Sequence, residues 1–231
     1  MTIIVVKDKI LFEDNHLLVY NKLPGEIVQG DKSGDEPVSE RIKQFLKSKY
    51  QKTGNVFLGT IHRIDRPVSG IVLFAKTSKA LSRMNEMLKQ KQIQKTYWAV
   101  VKNKPVNESG IIEGFLKKNE EKNKSYYFEK ETKGALFSEL SYMLLACSDN
   151  YHLVNVNPVT GRHHQIRVML AHIGCPIKGD VKYGDKRSNR DGSIHLHARE
   201  VKFLHPVNKS AVHIIAPPPD EPLWNYFSAI V

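Results

Sequence analysis

The residues best suited to chemistry lie in one short polar segment, Gly59-Thr60-Ile61-His62-Arg63-Ile64-Asp65-Arg66-Pro67-Val68-Ser69-Gly70. Asp65 stands between Arg63 and Arg66, with His62 close by. Neighbouring guanidinium groups favour the ionised form of a carboxylate. An ionised, positioned carboxylate can act as a nucleophile, a base or an electrostatic stabiliser. The same residues would also serve to tie down a loop through an ion pair, and the segment by itself leaves both readings open. A second cluster, Gly161-Arg162-His163-His164-Gln165-Ile166-Arg167, opens a helical pattern. Cations beside the free N–H groups of a helix start make an anion site. Arg167 falls at the margin of the helix's apolar face, either to enter a cleft and pair with a carboxylate or to stand as a partly buried structural arginine.

Other chemistries lack their residues. His195 and His197 share a strand face, and His163, His164, His172, His205 and His213 add imidazoles, but no Cys or carboxylate completes a zinc spacing. No metal site is expected. No Gly-rich loop follows a strand and opens a helix, so nucleotide hydrolysis and dinucleotide chemistry have no support. Cys147 and Cys175 form neither a disulfide framework nor a zinc knuckle, and the first residues are too short and lack the basic start of a signal sequence. A cytoplasmic setting is the expectation. No stretch approaches the ~20 apolar residues of a membrane span. The formal charge is +11, from 35 Lys and Arg against 24 Asp and Glu. Such an excess favours a polyanionic partner, nucleic acid or an anionic membrane surface.

The elements that must position these residues follow from pattern. Strands are expected at residues 2–6 and 16–20, with Asp14-Asn15 as a turn signal before the second. Pro24-Gly25 breaks the chain, and residues 29–37 are a polar loop. Val38, Ile42, Phe45, Leu46 and Tyr50 recur at helical spacing over 38–50. A short strand at 56–58 leads into the polar segment, and the apolar run 71–75 predicts a central strand buried on both faces. Thr77 or Ser78 caps a helix carrying Leu81, Met84 and Leu88, with Met84 and Met87 read as core filler. Residues 96–101, 111–116, 125–129, 136–146 and 151–156 are strand candidates, the last two paired around Ser148-Asp149-Asn150. Ile166, Met169, Leu170 and Ile173 face the core from a helix that Gly174 can end. Residues 175–193 form a long polar loop, of the kind that is often functional. Strands at 194–204 and 212–216 and a helix at 221–230 close the chain. Lys117, Lys118, Lys122 and Lys124 make a solvated face or an RNA contact. This order predicts an α+β fold around a largely antiparallel or mixed central sheet with flanking helices, in a single domain over residues 1–231.

The polar segment also carries a family resemblance. His62-Arg63-Ile64-Asp65-Arg66-Pro67-Val68-Ser69-Gly70 resembles the signature around the catalytic aspartate of RluA-family pseudouridine synthases. Other blocks are similar in the same order. Asp14-Asn15-His16-Leu17-Leu18-Val19-Tyr20-Asn21-Lys22-Leu23-Pro24-Gly25 resembles the family's first motif, and Lys95-Thr96-Tyr97-Trp98-Ala99 its tyrosine-bearing motif. Thr160 to Gly174 resembles its third, continued by Gly179-Asp180 and Tyr183-Gly184. Leu196-His197-Ala198-Arg199 and Ala216-Pro217-Pro218-Pro219 complete the set, which spans nearly the whole chain.

The resemblance implies a pseudouridine synthase catalytic fold and isomerisation of uridine to pseudouridine in structured RNA, tRNA or rRNA. It makes Asp65 the catalytic carboxylate, with Arg167 paired to it. Tyr97 would pack on the target base and assist a late proton transfer. Arg63 would enter the RNA stack when the target nucleotide flips out, with His62, Arg66 and Arg162 as further RNA contacts. Neither metal nor organic cofactor is implied, nor an obligatory protein partner. A base inside folded RNA must leave the stack before chemistry can reach it, and tyrosine and arginine planes stack well on bases. The departures from the family pattern are Leu23 for a second proline, Val68 where threonine is frequent, His163 where threonine precedes a single histidine, and Met169-Leu170 for a frequent His-Leu pair; the last two would tune RNA contacts. Many relatives carry an N-terminal S4 RNA-binding domain, for which no room precedes Asp14, so RNA recognition is expected from the catalytic domain itself. A non-catalytic RNA-binding or RNA-folding module on the same fold is the alternative, and a DNA-binding structural protein has only the charge behind it.

Overall fold

A computed structural model describes residues 6–31 and 34–231. Along the chain the elements are β1 (Ile10–Glu13), β2 (Leu17–Lys22), α1 (Val38–Lys49), β3 (Gly59–Thr60), β4 (Ser69–Ala75), α2 (Ser78–Lys89), β5 (Gln94–Val101) and β6 (Ser109–Asn119). They continue with β7 (Lys124–Phe128), β8 (Leu136–Cys147), β9 (His152–Pro158), α3 (Gln165–His172), β10 (Leu196–Leu204), β11 (Ala211–Ile215) and α4 (Pro222–Ile230). This is the expected α+β fold. The chain forms two compact units, Met1–Gln94 with Ala198–Pro218, and Lys95–His197 with Pro219–Val231.

In the first unit the strand order is β1-β2-β4-β10, with β11 on β10 and β3 on β4. β1–β2, β2–β4, β3–β4 and β10–β11 are antiparallel. Alternate residues Leu18 and Tyr20 of β2 and Val72 and Phe74 of β4 point to one face, where Val38, Ile42, Phe45 and Leu46 of α1 cover them. Every residue of β4 is buried, as its unbroken apolar run predicts. Thr77 caps α2, its Oγ1 accepting from Ala80 N–H at 3.1 Å. The strand expected at 2–6 falls outside the described residues except for Val6, which is buried. The one expected at 56–58 does not form. The β4 ladder ends with Ala75 opposite Gly59, so residues before Gly59 have no strand to pair with. The edge strand β1 escaped the sequence reading because all four of its residues are only half buried and show no alternation.

In the second unit β5-β9-β8-β6-β7 run antiparallel throughout. Trp98 and Val100 of β5 and Leu153 of β9 form a core with Trp224 and Phe227 of α4. Burying each of those aromatic rings stabilises by roughly 1.5–3 kcal/mol. Pro222 starts α4 at a position whose N–H would be unpaired anyway. His195 and His197 face Trp224, at 5.3 and 5.9 Å between ring centroids, so both imidazoles are packing residues. Gly174 takes φ +78° after α3, its N–H returning to Ala171 O at 3.0 Å.

Candidate functional site

In the first unit the polar segment is a turn strung between β3 and β4. Val68 N–H bonds to Asp65 O at 3.0 Å and closes it. Asp65 is half buried at its start, and Arg63 is exposed, with no ion pair among the described residues. His62 is half buried. Gly70 ends the segment at φ +108°, and a Cβ there would lie 2.4 Å from Ala198 O in β10. Only glycine lets the chain turn into β4 against that backbone. Val68 is 2% exposed, so the methyl that replaces a hydroxyl is buried.

A cation that sequence reasoning missed sits beneath the turn. Lys22 is fully buried, and its ammonium donates to Leu23 O, Glu26 O and Arg66 O at 2.8, 2.9 and 3.1 Å. Three carbonyls take its three donors, which welds the first motif to the Arg66–Pro67 peptide. Burial pulls its pKa down to about 7, while the carboxylates of Glu26 and Asp65 pull it upward. Arg66 is exposed. Its guanidinium pairs with Asp35 at 2.6 Å, on the surface, and the cation packed under the turn is Lys22. The signal was present as a lysine ending the strand Leu17–Lys22, whose first four residues are apolar or aromatic.

In the second unit Tyr97 lies on β5 opposite Val156 and is 9% exposed. Arg167, on the first turn of α3, is 5% exposed. Its Nε and Nη2 bond both oxygens of the buried Asp180 at 2.6 and 2.9 Å. Sequence reasoning read Asp180 only as part of a motif, not as this partner. The Arg167 guanidinium carbon also lies 5.1 Å from the centre of the Tyr183 ring. The Tyr183 hydroxyl accepts from Ser125 N–H and meets His164 Nδ1, both at 2.8 Å. His164 holds the left-handed conformation before α3, φ 55°. Burial, then the charge of Arg167, pushes its pKa down to about 2. The imidazole is therefore a neutral spacer between two rings. Arg162 is exposed, and its Nε donates to Phe137 O at 3.0 Å. Gln165 Oε1 accepts from Arg162 N–H at 2.9 Å and from Thr160 Oγ1 at 2.7 Å, which fixes the approach to the helix.

Two family departures acquire physical content here. Met169 is fully buried, so it fills the core and does not tune an RNA contact as expected. His163 Nδ1 meets Ser125 Oγ at 2.8 Å and its Nε2 meets Asn123 Oδ1 at 3.0 Å, tying α3 to the β6–β7 hairpin.

The sequence profile of the RNA pseudouridylate synthase family matches residues 16–172. The chain is 33% identical over 218 residues to the ribosomal large subunit pseudouridine synthase C of Vibrio vulnificus, covering 92% of this chain and 66% of that one. It is 33% identical over 237 residues to the protein of the same name from Buchnera aphidicola, covering 97% and 71%. To that of Haemophilus influenzae it is 35% identical over 209 residues, covering 88% and 63%. The chain thus spans about two thirds of the length of these curated relatives. The structure of human RNA pseudouridylate synthase domain containing 4 superposes with a TM-score of 0.81 at 22% identity, over 97% of this chain and 94% of that one. That of human RNA pseudouridylate synthase domain containing 1 gives 0.71 at 21%, over 94% and 85%. The fold is therefore that of a pseudouridine synthase. No helix among the described residues is long and apolar enough to cross a membrane.

Proposed function

The chain belongs to the RNA pseudouridylate synthase family, and on that premise we propose that it isomerises uridine to pseudouridine within ribosomal RNA. The bond between uracil N1 and ribose C1′ breaks, the uracil turns, and a C5–C1′ bond forms; C5 gives up its proton and N1 gains one. Neither the redox state nor the overall composition changes. The observation that carries this reading is the Asp65 turn. A half-buried carboxylate stands on a segment pinned by Lys22 below and by the Gly70–Ala198 contact behind, beside the exposed Arg63. Preorganised charge of this kind is what a glycosidic bond cleavage needs.

Asp65 acts on the ribose or base of the target nucleotide, which leaves the RNA stack to reach it. Arg63, exposed and without an ion pair among the described residues, fills the vacated place in the stack. Tyr97 offers the base an aromatic face and assists the late proton transfer. Arg167, held in plane by Asp180, supplies fixed positive charge for catalysis. His62, Arg66 and Arg162 contribute RNA contacts. Residues 1–231 act as one catalytic domain. The names of the relatives favour ribosomal over transfer RNA. The +11 charge supplies the sequence-independent part of binding.

The test is pseudouridine mapping on unmodified large-subunit ribosomal RNA and on tRNA, with wild type and Asp65→Asn. Wild type should modify ribosomal RNA, and the variant should bind it with similar affinity and modify nothing. Retained activity in Asp65→Asn would remove Asp65 from the mechanism. Modification confined to tRNA would reassign the substrate, and an inactive wild type that still binds RNA would favour the non-catalytic module.

A further inference from the structure

The loop singled out at residues 175–193 encloses a cavity of about 510 Å³ on the second unit, bordered by Lys102, Tyr151, Lys178, Asp185, Lys186 and Arg187. Its charge is lopsided. Among the described residues none of the four cations has a carboxylate within ion-pair distance. The single acid of the rim is already occupied, because Asp185 accepts from Gly179 N–H at 2.5 Å and from Lys186 N–H at 2.7 Å. Glu221 feels the charge of Lys178 but stands against His195 Nε2 at 3.4 Å. Four unpaired cations round one cavity leave a local potential that an anion would neutralise.

The cavity is also built rather than fortuitous. Asn189 is its hub. Its Oδ1 accepts from Lys178 Nζ at 2.6 Å, and its Nδ2 donates to Ser193 O and Oγ at 3.0 and 3.1 Å. The same Nδ2 meets His195 Nδ1 at 3.0 Å. One of the three Lys178 donors is thereby fixed and two remain for a ligand. Gly179, at φ +87°, closes the loop so tightly that a Cβ would lie 2.7 Å from Asn189 Nδ2 and Ser193 O. Lys178 N–H bonds Val100 O at 2.9 Å and ties the loop to β5. Tyr151 forms one wall, and Lys178 Nζ lies 5.9 Å from the centre of its ring.

We propose that this cavity is a phosphodiester subsite that grips the RNA backbone at a distance from the target nucleotide. It rests on the reading of the chain as an enzyme of RNA. Lys102 follows the last residue of β5, the strand that carries Tyr97. Five residues separate Lys102 from Tyr97, so alternation turns the two toward opposite faces of the sheet, and Tyr151 packs with Trp98, Val100 and Leu153 on the face away from Tyr97; the phosphodiester gripped there belongs to a stretch of RNA remote from the target base. Lys178 leads within two residues to Asp180, the anchor of Arg167, so one loop carries both the subsite and that anchor. Contacts of this type fix register and carry no sequence information.

The probe is unmodified large-subunit ribosomal RNA, and the variants are Lys186→Glu/Arg187→Glu, both on exposed side chains, and Lys102→Glu alone. Wild-type affinity should fall linearly with salt on a log–log scale. The double variant should bind roughly tenfold or more weakly near 100 mM salt, and its salt slope should be shallower by about 1.5. Its KM should rise, with pseudouridine formation at saturating RNA nearly unchanged. Lys102→Glu should show the same pattern at smaller size. Unchanged affinity and salt slope in both variants would overturn the subsite, and so would displacement of the RNA by millimolar inorganic phosphate at constant ionic strength, which would mark a site for a small anion. The reading as an RNA enzyme fails separately. If wild type binds the RNA, loses affinity on charge reversal and yet makes no pseudouridine, the subsite stands and the activity does not.

Discussion

Replacing Asp180 by alanine should destabilise the second unit more than any surface change. Arg167 and Asp180 are 6% and 1% exposed as side chains, and two hydrogen bonds join them at 2.6 and 2.9 Å. Removing one member of a buried pair leaves the other charge desolvated and costs about 3–5 kcal/mol. That is a large share of the roughly 5–15 kcal/mol that holds a domain folded. With a urea m-value of about 2 kcal/mol/M, the unfolding midpoint should drop by about 2 M at unchanged m. Both tryptophans, Trp98 and Trp224, are buried in the same unit, so their fluorescence reports the transition directly. Asp180→Asn keeps the shape and one acceptor; it should lose less stability yet still form pseudouridine more slowly, because a neutral amide holds the guanidinium less firmly. The double variant Arg167→Met/Asp180→Leu separates the two effects. Apolar side chains of similar volume should recover most of the midpoint, with activity absent. A midpoint for Asp180→Ala equal to wild type would refute the view that this pair organises the unit. A double variant no more stable than Asp180→Ala would show that packing, not an uncompensated charge, sets the loss.

Gly70→Ala combines backbone strain of about 1–3 kcal/mol with overpacking against the Ala198 backbone of about 1–3 kcal/mol. Its melting temperature should fall by roughly 10 °C and activity should fall with it; a wild-type melt would show that β4 can move away from β10. His164 and His195 are held neutral by burial, with pKa values pushed down to about 2 and about 3. The unfolded chain takes up protons at both near pH 6.5, so stability should decline as pH falls below that value, by up to about 1.4 kcal/mol per unit for each group. Urea titrations between pH 7 and pH 5 should show this slope, and His195→Phe should make it shallower; an equal slope would assign the effect elsewhere. Tyr183→Phe leaves the buried Ser125 N–H without its acceptor and should cost about 1–3 kcal/mol, read as a lowered thermal midpoint. An unchanged midpoint would mean that the amide finds another acceptor.

What the sequence determined by itself was local or ordered along the chain. The apolar run of β4, the Thr77 cap, the helical spacing of α1 and the β8–β9 turn all depend on neighbours within a few residues, where period and turn chemistry act. The Asp65 segment was legible in the same way, because a carboxylate among cations and turn formers is visible without a fold. The tertiary structure decided which charge meets which. Lys22 lies far from Arg66 in sequence, yet its buried ammonium reaches that residue's carbonyl, since the β2–β4 register sets Lys22 opposite Gly70. Arg66 itself turned outward to Asp35. Arg167 found Asp180 because the loop after α3 folds back along β5. Met169, expected to tune an RNA contact, went to the core. Lys102, from the end of β5, joined Lys178, Lys186 and Arg187 of the 175–193 loop around one cavity. Pairings of this kind depend on strand register and loop closure. A residue's type states only what it is able to bond, and the fold supplies the partner by bringing distant backbone within about 3 Å.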